Sequence, residues 1–479
     1  MEVLSSTIVP MKQTQDPIQN FESRTWSYNS ANRNTMSKGK TSHHVIEVVD
    51  KRDWIALVQQ KIDTSPKMLS RSAGEESCCI FRVPQSLVEI NEKAYQPHIV
   101  SMGPYHHGKQ HLEMIQEHKW RYLGSLLART RSHGVSFKDL FVAIEPLEKS
   151  IRECYSETIT FDSRQLIEMM VLDGCFVIEL FCMVGSLVPR DVDDPIFSMA
   201  WIFPFLTRDL LRLENQIPYF VLETLFELTI LSSRRQTATT LAKLALHFFN
   251  YMLQRDAKTL EQYYSLKGKH LLGLFRESFI PPSQETTRES SPLLQLIPSA
   301  KKLHLAGIQF KPRRTNSFLD IKFGNGVLEI PPLTIDDLTS SVFLNIVAFE
   351  QCYRHCTKHV TTYATLMGCL INTPGDAGFL SDHKIIENYF GTDEEVARFF
   401  NNVGKDVAFD IHRNYLSELF QNVNEHYRNN WHVRWASFKH TYFDTPWSFM
   451  SALAAIILLL LTMIQSLFAV YAYVYPPKP

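Results

Sequence analysis

The stretch SMGPYHHGKQHLEMIQEHKW, Ser101–Trp120, carries four histidines, His106, His107, His111 and His118, with Glu113 and Glu117 among them. Imidazoles close to a carboxylate are the raw material of a zinc site or of a proton-transfer pair. At about 100° per residue on a helical wheel, His118 falls about 20° from His111, with Ile115, Tyr122 and Leu126 on the same side. His111 and His118 therefore flank an apolar stripe, and a zinc reading would recruit His107 and Glu117. The sharper motif tests fail. No H-E-x-x-H occurs, and Met114 stands where the inverted H-x-x-E-H pattern requires its first histidine. Gly103-Pro104 and Gly108 place His106 and His107 in a turn ahead of the helix. The expected role of the stretch is a polar helix edge with its capping turn.

CYRHCTKH is the second cluster, with Cys352, His355, Cys356 and His359 three and four apart, as on neighbouring faces of a helix. A zinc module would pair such a knuckle with a second, distant pair, and none is evident. The third set is acidic: Glu168, Asp173, Glu179, Asp209, Glu214 and Glu223, all within apolar helical stretches. Glu168 and Glu179 are eleven residues apart and share a face. Buried carboxylates can serve as general acids or bases, but more often they pair with arginine or cap a helix. Arg164, Arg208 and Arg212 are the partners nearest in sequence. No Walker loop, G-x-S-x-G elbow, dinucleotide fingerprint or kinase motif set is present. No catalytic, cofactor-binding or metal residue is assigned.

These groups need a scaffold, and the sequence supplies a mainly α one. Of 479 residues, 45% are hydrophobic and 21% charged, the balance of a folded chain long enough to bury its own core. A net charge of −1 without a basic block argues against nucleic acid as a partner. Apolar residues recur at helical spacing in DWIALVQQKI, SRQLIEMMVLDGCFVIELFCMV, RDLLRLEN, PYFVLETLFELTIL, TTLAKLALHFFNYML, TIDDLTSSVFLNIVAFEQCYRHC, VTTYATLMGCLI, HKIIENYF and DEEVARFFNNVGKDV. Alternation around Gly324-Asn325-Gly326 predicts a β-hairpin within residues 307–332. Residues 1–48 are polar and aperiodic, which predicts disorder, and the polar run Pro281–Pro292 predicts a mobile loop. Residues 49–445 are expected to form the helical domain and residues 446–479 a membrane tail anchor.

The anchor is the strongest physical signal. Residues Phe449–Val474 contain no charge, and Gln465 is their one strongly polar side chain. At about 1.5 Å per residue such a helix rises about 39 Å, enough to cross a ~30 Å hydrocarbon core. Trp447 and Phe449 at one end and Tyr471, Tyr473 and Tyr475 at the other suit the two interfaces. Arg428, Arg434 and Lys439 precede the span and only Lys478 follows, so the positive-inside bias places the large N-terminal part in the cytosol. The N-terminus lacks the basic and apolar regions of a secretory signal, and no N-x-[ST] sequon occurs. Cysteines such as Cys175, Cys182 and Cys369 sit in apolar stretches, which reads as buried thiols in a reducing compartment.

Taken in order from Asp53 to Gln465, the segments CIFRVPQSLVEINEKAYQPHIVSMGPYHHG, DGCFVIELF, DLLRLENQIPYFVLETLF, IPSAKKLHLAGIQF, LEIPPLTIDDLTSSVFLNIVAFEQC, YATLMGCLINTPGDAGFLSDHKIIENYF and YFDTPWSFMSALAAIILLLLTMIQ resemble the plant domain of unknown function 247 family. The resemblance implies a membrane-associated plant protein without an established catalytic activity. Some members are implicated in grass self-incompatibility, which implies recognition between proteins. The expected function is that of a membrane-tethered interaction or recognition module with an unknown protein partner. The alternative is a membrane-associated enzyme using the histidine and acid cluster, with or without a metal ion.

Overall fold

SRQLIEMMVLDGCFVIELFCMV is apolar around nearly its whole circumference, the pattern of a helix enclosed by others. In the structure, a computed structural model, it forms the central helix Ser163–Val184, buried almost continuously from Leu166 to Cys182. A reciprocal capping box starts it: Asp162 Oδ1 accepts from Gln165 N at 2.9 Å, and Gln165 Oε1 accepts from Asp162 N at 3.2 Å. Around it pack the helices Glu113–Thr130, Phe137–Ile144, Tyr219–Phe226 and Leu241–Leu253. A second hub, Asp337–Cys352, is enclosed by Leu271–Glu277, His359–Leu370 and Asp393–Val403. Phenylalanines connect the two hubs. Ring centroids step from Phe181 to Phe248 at 4.9 Å, Phe249 at 5.2 Å, Phe275 at 5.5 Å and Phe279 at 5.0 Å. Each such pair adds roughly 0.5–1.5 kcal/mol beyond its buried area.

Residues 51–63, 68–231, 239–253, 255–281, 295–404, 407–408, 410–411, 414–428 and 446–474 are described. The disordered segment expected over 1–48, all but the first residue of the loop expected over Pro281–Pro292, and the flanking charges Arg434, Lys439 and Lys478 lie outside them. Two units are distinguished, residues 1–65 and residues 66–479. The described part of the first is the helix Lys51–Asp63, whose Trp54, Ile55, Leu57 and Ile62 are exposed.

The fold is mainly α with a small β element. Strands β1 (Gln309–Pro312), β2 (Lys322–Gly324) and β3 (Val327–Ile330) form a sheet in the order β1-β3-β2. The β2–β3 hairpin turns through Asn325 and Gly326, with φ of 52° and 74°, the left-handed pair that a two-residue type I′ loop requires. Parallel pairing of β1 with β3 was not expected from the hairpin signal. A second parallel pair joins β4 (Leu333–Ile335) to β5 (Ile386–Asn388).

That pair corrects one helical expectation. HKIIENYF is not a helix: Lys384 takes φ 56°, which stops the preceding helix at Asp382, and Ile386–Asn388 pairs as β5. RDLLRLEN is helical only to Asp209, beyond which Leu210–Asn215 turns. The run through CYRHC ends at Cys352, where Tyr353 becomes extended and its ring stacks on Phe349 at 5.3 Å.

The last helix, Pro446–Val474, is long and apolar enough to cross a membrane. None of its window Leu453–Val470 is buried by protein. Two of its hydroxyls bond within the helix: Thr462 Oγ1 donates to Leu458 O and Ser466 Oγ to Thr462 O, both at 2.8 Å. This suits a hydrocarbon surrounding that offers no partner.

Candidate functional site

Residues 97–103 lead into the GPYHHG turn without helix or strand, yet Ile99, Val100, Ser101 and Met102 are buried. Their main-chain groups need partners, and a loop this deep has no sheet to provide them. Side chains supply them. Asp209 Oδ2 accepts from the N–H groups of His98 and Ile99 at 2.8 Å and of Val100 at 3.2 Å. Asn215 accepts from Met102 N at 2.7 Å and donates to Val100 O at 3.0 Å. Asp173 Oδ2 accepts from Gly103 N at 2.7 Å, and Lys119 donates to Ser101 O.

The same acids hold buried cations. Asp209 Oδ1 lies 2.9 Å from Arg212 Nε, and Arg212 also donates to Lys93 O at 2.9 Å and to His98 Nδ1 at 2.6 Å. Burial pushes the Arg212 guanidinium below its ordinary range, with Asp209 opposing. Asp173 Oδ1 is 2.5 Å from Lys119 Nζ, both groups being almost wholly buried. Glu179 pairs with Arg129; burial raises its carboxyl, and Arg129 works against that. Glu223 faces Lys267 at 3.9 Å near the surface. Glu168 is exposed, so despite sharing an azimuth with Glu179 it does not share its environment.

Glu214 closes the network at its outer corner. It accepts from Val83 N and from Arg82 Nη1, both at 2.8 Å. Arg82 also reaches Glu157 at 3.2 Å and lies over the Tyr105 ring at 4.2 Å. His106 Nε2 comes within 3.2 Å of Glu214 Oε2. Burial, above all, keeps His106 below the usual imidazole range. Burial alone would lift Glu214, but His106, the Val83 N–H and Arg82 outweigh it and hold the carboxyl below its ordinary range.

The histidines that opened the analysis point apart. His106 is buried, His107 is exposed with its ring against Phe161 at 5.5 Å, and His111 is exposed with Nε2 3.3 Å from Pro97 O. His111 also precedes the helix proper, which starts at Glu113, so the wheel that paired it with His118 does not apply. The second cluster is likewise dispersed by the break after Cys352. His355 Nε2 faces Gly74 O at 3.4 Å, Cys356 Sγ donates to Tyr353 O at 3.2 Å, and His359 Nδ1 meets Thr357 Oγ1 at 2.7 Å. Among the described residues no group of three or more His, Cys, Asp or Glu side chains converges on a point that would hold a metal ion. No disulfide joins any of the eight cysteines.

With this geometry in place, the comparison with known sequences is informative. A family model described as a plant protein of unknown function matches residues 80–461, from the strand-like CIFRV segment into the terminal helix. The chain belongs to the plant DUF247 family. It is 42% identical over 436 residues to the UPF0481 protein At3g47200 of Arabidopsis thaliana, covering 86% of this chain and 90% of that one. It is 23% identical over 513 residues to the putative UPF0481 protein At3g02645 of the same plant, covering 87% and 94%. No solved structure matches the chain.

In this DUF247 protein the GPYHHG signature is the end of a buried loop suspended on Asp173, Asp209 and Asn215. Gly103 takes φ 68°, and a Cβ there would stand 2.7 Å from Gln216 O and 2.8 Å from the Tyr155 hydroxyl. Of the arginines nearest in sequence to the acids, only Arg212 is a partner in the ion pairs above; Arg164 is exposed and Arg208 lies over Phe205 at 5.3 Å. The cations that matter, Lys119, Arg129 and Arg82, were missed. Lys119 did leave a signal, since it interrupts the stripe Ile115, Tyr122, Leu126 at a helical spacing.

Proposed function

We propose that this chain is a membrane-tethered recognition protein whose helical body binds another protein beside the bilayer, without catalytic chemistry of its own. The observation that carries the reading is the Pro446–Val474 helix: a long apolar element whose Leu453–Val470 window is unburied, on a chain whose remaining apolar residues build a large core. An apolar surface of that size has no stable place in water, and a bilayer is the solvent that suits it. The acids and cations of the polar network support the same reading, because they are occupied in suspending main chain and in pairing with each other. The flanking charges favour a cytosolic body, with the span serving as a tail anchor.

Proximity labelling in plant cells, with the full chain and with residues 449–474 replaced by a soluble tail, tests the proposal. A specific partner set that depends on the anchor is expected. Identical background sets from both proteins would reject it. Protease protection of the chain in intact membranes, tagged at both ends, tests orientation: the N-terminal tag is expected to be digested and the C-terminal tag to survive.

A further inference from the structure

Cys79 and Cys154 meet in the seam that joins the CIFRV segment to the end of the helix Glu148–Glu153. Ile80 and Tyr155 pair there as parallel bridge partners. Cys79 N and Ile80 N both donate to Cys154 O, at 3.0 and 2.9 Å, and Ser156 N donates to Ile80 O at 2.9 Å. Residues next to a parallel bridge stand opposite each other, at the strand separation of about 4.8 Å. That falls within the Cα spacing of about 4.4–6.8 Å that a disulfide spans. The side chains meet as the backbones do. The Cys79 thiol hydrogen-bonds to Cys154, and this bond first, with burial second, raises it well above its ordinary range.

The other cysteines are placed differently. Cys175 and Cys182 lie two turns apart on one helix, a rise of about 10 Å that no disulfide bridges. Cys356 Sγ donates to Tyr353 O at 3.2 Å. Cys78 lies near Cys154, but its N–H turns back to Glu75 O at 3.2 Å instead of joining the seam. Cys79 and Cys154 are both buried, and their seam borders an open cleft of about 580 Å³. Ser77 and Glu153, the residues before Cys78 and Cys154, line that cleft, which is wide enough to bring a peroxide to the edge of the seam. Over the seam stands the GPYHHG turn: the Tyr105 hydroxyl bonds to Ser156 Oγ at 3.2 Å and donates to Ile80 O at 3.4 Å. A bridge here would close the 79–154 loop, which carries the suspended 98–103 segment, and would take conformational freedom from the unfolded chain.

We propose that Cys79 and Cys154 are the site of a reversible disulfide, formed under peroxide, that staples the edge beneath the GPYHHG turn. Because Cys79 is held protonated, Cys154 supplies the thiolate. Its sulfur attacks one peroxide oxygen and the O–O bond breaks. The other oxygen leaves as water with the proton that the thiol gave up, and Cys154 is left as a sulfenic acid. The Cys79 sulfur then attacks the Cys154 sulfur, the S–O bond breaks, and the hydroxyl departs as water with the Cys79 proton. Two thiols lose two electrons, the peroxide accepts them, and the products are one disulfide and two waters. A reducing compartment keeps the pair as thiols at rest, the setting in which disulfides are transient and redox-sensing.

Mass spectrometry of the full chain tests it: reduced protein in lipid nanodiscs is exposed to hydrogen peroxide, alkylated, and digested without reductant. A peptide linking Cys79 to Cys154 is expected, and dithiothreitol should remove it. Cys78→Ser should keep the link, and Cys154→Ser should lose it. The oxidised wild type should melt about 5 °C or more above the reduced form, the scale of a bridge over a long loop. Wild-type protein whose Cys79 and Cys154 are both still alkylated as thiols after peroxide overturns the proposal. So does a link from Cys154 to Cys78 instead, a link that forms only in urea, or a melting temperature that stays unchanged once the link is complete.

Discussion

Asp209 and Arg212 face each other across 2.9 Å with neither side chain reached by solvent, and the same carboxylate holds three backbone N–H groups of the 98–100 segment. Removing one partner of such a pair leaves an uncompensated buried charge, at a typical cost of about 3–5 kcal/mol. Asp209→Ala is therefore expected to lower unfolding stability by at least that much, since the main-chain donors lose their acceptor as well. Urea denaturation followed by circular dichroism measures it. A loss under about 1 kcal/mol would mean that water replaces the carboxylate and that the pair does not hold the loop.

Gly103 has no room for a side chain. A methyl group there would meet Gln216 O and the Tyr155 hydroxyl at under 3 Å, at a φ of 68° that an L-residue adopts only with strain. Gly103→Ala should destabilise by roughly 2 kcal/mol or more. Gly108→Ala also lies at positive φ, but with no atom within 4 Å of the added methyl, and should cost less. Comparing the two melting temperatures separates close approach from backbone strain.

Acid should weaken the fold before carboxylates titrate. The His270 ring is wholly buried, its Nδ1 accepting from Gly273 N and its Nε2 donating to Cys79 O, each at 3.1 Å, so it must be neutral. Burial pushes it down to about 3, the Cys79 carbonyl opposing. Between about pH 6.5 and 3 the unfolded chain then binds a proton that the folded chain refuses, and stability falls by about 1.4 kcal/mol per pH unit. His359, lowered by burial and then by Arg276 to about 4, and His106 act in the same direction. The raised carboxyl of Glu179 acts in the opposite one. His270→Asn keeps a capping acceptor without the titration, so its stability should decline less steeply than the wild type's between pH 7 and about 5. Parallel slopes would show that His270 takes up a proton in place.

Leu460 lies near the middle of the unburied apolar window and is itself exposed. Leu460→Arg should cost about 2.5–3.5 kcal/mol of membrane insertion. Carbonate extraction should shift the variant toward the soluble fraction. Full retention in the pellet would mean that something other than this helix holds the chain to membranes.

The large elements were legible because their periodicity is local. The central helix matched its predicted limits, since Asp162 caps its start and its apolar character ends at Val184. The Asn325-Gly326 turn was legible because few residue pairs accept that backbone. What escaped depends on distant partners. HKIIENYF read as helical because nothing nearby reveals β4, its pairing strand. RDLLRLEN read as one helix because nothing nearby reveals the 98–102 loop on which Asp209 and Asn215 spend their side chains. The histidine and cysteine clusters were legible as residues but not as arrangements: a turn at Gly108 and a break at Cys352 send their side chains to separate neighbours.

The suspended loop has a consequence for synthesis. His98 and Asp209 are 111 residues apart, so at roughly 5–20 residues per second the loop leaves the ribosome about 5–20 s before its acceptor exists. For that interval the N–H groups of His98, Ile99 and Val100 lack the acceptor that they share in the folded chain. Slow codons between His98 and Asp209 would be expected to lengthen that interval, and slow codons placed after Asp209 would not.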